Sequence, residues 1–151
     1  MKQGMLGAVA LLSLFAATPA PAQTVVRDAA YRGTLVCDRL PFFETTAREA
    51  LEVKIAGGEA KYTLVVREGR GVPTSMEQGS GKLEGERISL TGNWSGKNDK
   101  YESRYSGSFV RRSAKLTGSQ TWTHDGKSYT RNCTGVIKRP FAAFLPKGEK
   151  K

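Results

Sequence analysis

Ser80–Gly92, SGKLEGERISLTG, and Ser106–Gly118, SGSFVRRSAKLTG, are one pattern written twice, 26 positions apart, and each copy runs on into a tryptophan, Trp94 or Trp122. Ser, Gly, Leu, Thr and Gly recur at matched places, Leu83 and Phe109 share an apolar place, and polar turn residues divide each copy in two. Each copy therefore reads as strand, turn, strand, a β-hairpin written twice. The repeat speaks to architecture; it holds no residue placed to act as nucleophile, base or metal ligand.

The same alternation extends outward from the repeat. Leu51, Val53 and Ile55 alternate with Glu52 and Lys54, Gly57-Gly58 makes a turn, and Tyr62, Leu64 and Val66 return. Tyr101 to Phe109 turns through Arg111-Arg112-Ser113 and comes back from Leu116 to Trp122. His124-Asp125-Gly126-Lys127 is a tight turn with the Asp-Gly signature, leading into Tyr129, Arg131, Cys133, Gly135 and Ile137. A first strand runs from Tyr31 to Cys37. About eight short strands on short connections predict an all-β domain over residues 23–140, most economically one antiparallel up-and-down β-barrel, with a two-sheet β-sandwich as the alternative. Two stretches break the rhythm. Asp38 to Ala50 reads as an apolar loop with Phe42 and Phe43 and one helical turn capped by Thr45 or Thr46, and Glu68 to Gln78 reads as a Gly- and Pro-containing loop.

Cys37 and Cys133 are the only cysteines, at the ends of the first strand and within the last. Residues 1–22 carry Lys2, an apolar run from Met5 to Ala17 and an Ala20-Pro21-Ala22 cleavage pattern, which is the layout of a signal peptide for export. In an oxidising periplasm or medium the cysteine pair predicts a disulfide, which sets the first and last strands side by side as barrel closure requires. A bridge closing a loop of 96 residues, from 37 to 133, contributes about 4 to 5 kcal/mol in the chain-entropy model.

Charge is uneven. Residues 23–79 carry eight basic and eight acidic residues, whereas residues 80–151 carry fifteen basic and six acidic, so that nearly all of the net charge of +10 lies in the second half. Residues 141–151 end the chain as a basic tail. A field of that sign concentrates anionic partners, or serves only to solvate the surface.

Few residues offer catalysis. His124 is the only histidine and falls at a turn, which leaves a serine triad without a base. Glu49 with Glu52, and Glu84 with Glu86, lie where exposed charges usually lie, and no phosphate loop, zinc spacing or calcium loop occurs. The expectation is a non-enzymatic, monomeric protein with no cofactor and no metal.

Strand parity points to binding. If Leu90, Leu116 and Ile137 face inward, so do Trp94, Tyr101, Tyr105, Gln120, Trp122 and Arg131. Aromatic rings with a few polar groups make a small-molecule pocket, or simply fill a barrel of this size. Arg131 stands out because a buried guanidinium must find an acceptor or an aromatic face. On the outward parity, Arg104, Arg111, Arg112 and Lys115 are read as one basic patch for anionic envelope polymers, joined by Lys82, Arg87 and Lys127. Nucleic acid ranks lower, because the aromatics share the inward parity.

The repeated Leu-Thr-Gly leading to an aromatic, at Leu90-Thr91-Gly92 with Trp94 and Leu116-Thr117-Gly118 with Trp122, resembles strands of the calycin group, the lipocalin- and avidin-like secreted barrels. The first strand, Tyr31-Arg32-Gly33-Thr34-Leu35, lacks the Gly-x-Trp of a lipocalin. The resemblance implies a barrel that binds a small molecule at its open end, with Arg131 as the basic residue of the last strand that covers the barrel end. The function expected is an exported binding protein for a small amphipathic or anionic ligand inside or at the mouth of the barrel; the alternative is a surface-interaction protein acting through the basic patch.

Overall fold

A computed structural model describes residues 28–43, 46–66 and 75–140. The expected signal peptide and basic tail lie outside the described residues. Eight strands follow one another in order: β1 (Ala29–Cys37), β2 (Ala47–Ala56), β3 (Glu59–Val66), β4 (Ser75–Glu84), β5 (Arg87–Ser95), β6 (Asp99–Val110), β7 (Ser113–His124) and β8 (Lys127–Lys138). Each pairs antiparallel with the next, and β8 pairs with β1, which closes the sheet into a barrel. Closure settles the choice between barrel and sandwich. Cys37 lies directly opposite Cys133 across the closing seam and is bonded to it.

The repeat occupies β4–β5 and β6–β7. Its matched glycines and large apolar residues face inward: Gly81 with Gly107, Leu83 with Phe109, Leu90 with Leu116 and Gly92 with Gly118. The Asp125-Gly126 turn has both residues at positive φ, 49° and 72°, the geometry that matches the twist of the strands it joins.

Two expectations about loops are corrected. Residues 47–50 form no helical turn; they begin β2, paired with β1 down to Ala47 opposite Cys37. Ser75 to Gln78 belong to β4, paired with β3. In both cases an acidic residue at an inward position, Glu49 or Glu77, disguises the start of a strand.

The register also gives the width of the barrel. From Ala29 the partners run through Ile55, Ala60, Gly81, Leu90, Tyr105, Gly118 and Cys133 and return to β1 at Cys37, a stagger of eight residues from 29 to 37. Eight strands staggered by eight tilt by about 36° and enclose a space that side chains fill. The outside is polar: exposed positions of β5 to β8 are mostly Ser, Thr, Asn, Lys and Arg. No helix among the described residues is long and apolar enough to cross a membrane.

Candidate functional site

Two clusters fill the interior. Tyr31, Leu35, Leu51, Val53, Ile55, Leu90, Phe109, Leu116 and Ile137 belong to the larger one, which is apolar. The smaller one gathers Leu40, Val66, Trp94, Tyr101 and Trp122, with Phe42, Phe43 and Tyr129 against it, at the end of the barrel where β1 leads into β2. Here lie the buried polar side chains Glu49, Glu77, Ser103, Gln120 and Arg131, all at most 4% exposed.

One register row assembles most of this chemistry. Across β3 to β8 the partners are Tyr62, Gly79, Gly92, Ser103, Gln120 and Arg131. The two glycines leave the space that Tyr62 occupies: a Cβ on Gly79 would lie 2.2 Å from its ring, and one on Gly92 would lie 2.1 Å from its hydroxyl. Tyr62 thus reaches across two strands, where its hydroxyl donates to Glu77 and lies 2.8 Å from Ser103 Oγ. Ser103 also donates to Glu77 Oε1, and Tyr101 donates to Oε2 at 2.7 Å. Three hydroxyl donors on one buried carboxylate satisfy it without a cation.

Arg131 is held by a second set. Its Nε donates to Gln120 Oε1 at 2.7 Å, its Nη2 lies 3.7 Å from Glu49 Oε1, and its Cζ lies 5.1 Å from the centre of the Trp122 ring. Gln120 Oε1 also accepts from Trp122 Nε1 at 3.1 Å, and Gln120 Nε2 donates to the Tyr105 hydroxyl at 2.8 Å. Burial pulls the guanidinium pKa down, and the charge of Glu49 opposes the pull. Burial, and after it the charge of Glu77, pushes the phenols of Tyr62, Tyr101 and Tyr105 well above the ordinary tyrosine range.

Aromatic rings close this end. Phe42 stacks on His124 with ring centres 4.1 Å apart and planes 11° apart, and meets Tyr129 edge-on at 5.2 Å. Phe43 meets Trp122 edge-on at 5.2 Å, and Trp122 lies 4.5 Å from Tyr101. His124 Nδ1 is 2.5 Å from Asp99 Oδ1, which sets the ring against Phe42. The one histidine is therefore engaged as a wall of the aromatic cluster.

All six residues expected inside the barrel, Trp94, Tyr101, Tyr105, Gln120, Trp122 and Arg131, are buried and face inward, and all but Trp94 join the network just described through a hydrogen bond of the side chain. Trp94 stacks on Tyr101 at 5.5 Å and donates to Ser75 Oγ at 2.8 Å. Four members escaped the sequence reading: Glu49, Tyr62, Glu77 and Ser103. Glu49, expected to be exposed, is 4% exposed beside Arg131; it shares the inward parity of Leu51 and Val53, the signal that would have found it. Glu52 is outward and pairs with Arg32 at 2.8 Å, and Glu84 and Glu86 are exposed.

The four residues of the basic patch divide into three at one turn and Arg104 apart. Lys115 shares a row with Ser108 and Arg87, near the turn that carries Arg111 and Arg112. Arg104 stands seven residues before Arg111 on β6, roughly 23 Å along an extended strand, in a row with Thr91, Ser80 and Lys61. Lys127 lies at the opposite end of the barrel, opposite His124. No three His, Cys, Asp or Glu side chains among the described residues are grouped to hold a metal. Compared with protein-family models, with curated proteins and with solved structures, the chain matches none.

Proposed function

We propose that this protein is an exported, non-enzymatic binding protein that takes a small amphipathic molecule at the aromatic end of its barrel, against Phe42 and Phe43, the rings that lie over Trp122 and Arg131. One observation carries this reading. A barrel of this size can be filled by apolar side chains, as its other half is, yet this half buries Glu49, Glu77 and Arg131, and buried charges cost more than apolar residues of the same volume. Such departures from the cheapest core are concentrated where a protein acts. The narrow bore favours the mouth over the middle, and the disulfide is compatible with the oxidising compartment of an exported protein. Because Arg131 already has Gln120 as an acceptor and Glu49 as a counter-charge, ring stacking and apolar contact are the main attractions for a ligand.

Protein recovered from its own host, analysed by native mass spectrometry, tests this. A bound mass that is lost on denaturation, and whose return quenches the fluorescence of Trp94 and Trp122, is the expected result. A bare mass, with no change in tryptophan emission on adding the host's small-molecule extract, would sink the proposal.

A further inference from the structure

The outer wall carries a feature that the interior does not explain. Of the matches between the two copies of the repeat, the glycines and large residues face inward and are accounted for by packing. Two matches face outward, Ser80 with Ser106 and Thr91 with Thr117. Within each copy these are direct cross-strand partners, Ser80 opposite Thr91 and Ser106 opposite Thr117. The same side-chain pair is thus retained twice at positions that bury nothing.

Neighbouring strands extend both pairs into rows. Ser89, Ser106, Thr117 and Thr134 lie side by side across β5 to β8, and Lys61, Ser80, Thr91, Arg104 and Ser119 across β3 to β7. Adjacent members are about 4.8 Å apart, close to the size of a sugar ring. The wall is also dented here, behind the inward glycines. One depression of about 610 Å³ is lined by Lys61, Ser80, Thr91, Asn93, Glu102 and Arg104, and another of about 390 Å³ by Lys82, Glu84, Arg87, Ser89, Ser106 and Thr117, so each pairs two cations with one carboxylate at its edge. Rows of hydroxyls interrupted by single cations complement a polymer that alternates hydroxyls with spaced anionic groups. None of the exposed residues of β4 to β8 is aromatic, so bases of a nucleic acid have nothing to stack on.

We propose that the outer face of β4 to β7 binds an acidic polysaccharide, with Ser80, Thr91, Ser106 and Thr117 bonding sugar hydroxyls and Lys61 and Arg104 meeting carboxylate or sulfate groups, whereas Arg87 faces Glu84 across β4 and β5. This site is separate from the aromatic end of the barrel and stands or falls without it.

Alginate, a polyuronate, is the probe, measured by calorimetry with the full exported chain against neutral dextran, polyphosphate and single-stranded DNA. Alginate is expected to bind and dextran not to bind. Two double variants divide the contributions. Lys61→Gln with Arg104→Gln removes charge and flattens the salt dependence. Thr91→Val with Thr117→Val keeps shape and strand preference but removes two hydroxyls, and is expected to weaken alginate roughly tenfold at fixed salt while the melting temperature stays put. If alginate does not bind, or if the valine variant binds it as wild type does, the proposal is overturned. Polyphosphate or DNA binding more tightly than alginate would overturn it too, because the face would then be only a positive field.

Discussion

Around Leu35, Val53, Leu90 and Ile137 the barrel is filled by aliphatic and aromatic side chains, whereas around Glu77 and Arg131 the same eight strands enclose two carboxylates, a guanidinium, an amide and hydroxyls under a layer of aromatic rings. Backbone geometry is common to both ends, so the difference belongs to the side chains. Non-directional burial fills one end; at the other, each polar atom depends on a named partner. The first tolerates any residue of the right volume, and the second fails as a set. Tyr62 and Tyr105 join the two: their rings pack in the apolar cluster and their hydroxyls enter the polar network.

The covalent seam lies where the halves meet, since Cys133 packs in the apolar cluster and Arg131, two residues earlier on β8, in the polar one. Replacing both cysteines by serine is expected to cost about 4 to 5 kcal/mol, read as a fall in the denaturant midpoint, and reductant should then have no further effect. Equal midpoints for oxidised and reduced wild type would mean that the two halves hold their register without the bond.

Alkali bears hardest on the polar side of the comparison. Tyr62, Tyr101 and Tyr105 have folded-state pKa values raised above the unfolded value of about 10, so the neutral phenol is favoured by folding. Their contribution is full below about pH 10 and is lost as pH rises further, because only the unfolded chain ionises them readily. Three such groups give a slope of about 4 kcal/mol per pH unit. Absorbance of phenolate at these residues should therefore appear together with unfolding. Phenolate appearing in a still-folded barrel would show that the polar half is open to water.

Arg131→Met leaves the Glu49 carboxylate buried beside a thioether and is expected to cost about 3 kcal/mol; adding Glu49→Leu should restore most of it, because a buried pair is replaced by apolar contact. If the double variant is as unstable as the single one, the charges hold this end together and the case for a functional reason to bury them weakens. If it is stable but no longer retains a ligand, the contrast between the halves is one of function.

The same contrast explains what could be read in advance. β5 to β8 are legible because most inward positions are apolar or aromatic and keep a period of two; Gln120 and Arg131 are found because Trp122 and Cys133 fix the parity around them, whereas Ser103 on β6 passes unnoticed. β2 and β4 lost their first residues because Glu49 and Glu77 occupy inward places, and their partners come from strands far away in sequence, Arg131 on β8 and Tyr101 on β6. Closure could be inferred from the two cysteines. The stagger of eight could not, since it arises only when all eight registers combine. Arg104 separates from the rest of the basic patch for a related reason: parity puts Arg104 and Arg111 outside but says nothing about the length of strand between them.

Gly92 gives the finest test, because it belongs to the repeat and yet serves the polar half. A methyl group there would lie 2.1 Å from the Tyr62 hydroxyl and 2.6 Å from Glu77 Oε1, so Gly92→Ala must displace the contact on which the carboxylate depends, at about 1 to 3 kcal/mol. Its backbone is an ordinary strand, and the cost is therefore one of space alone. Tyr62→Phe removes the nearest atom, and in that background Gly92→Ala is expected to cost less, a coupling that a double-mutant cycle measures. Additive costs would mean that the glycine serves strand curvature, as the backbone contacts at Gly81 and Gly107 require of those two, and that the tyrosine merely uses the room. A positive coupling ties the repeat to the buried network: the same glycine that recurs in both hairpins makes, in the first, the space through which Tyr62 reaches Glu77.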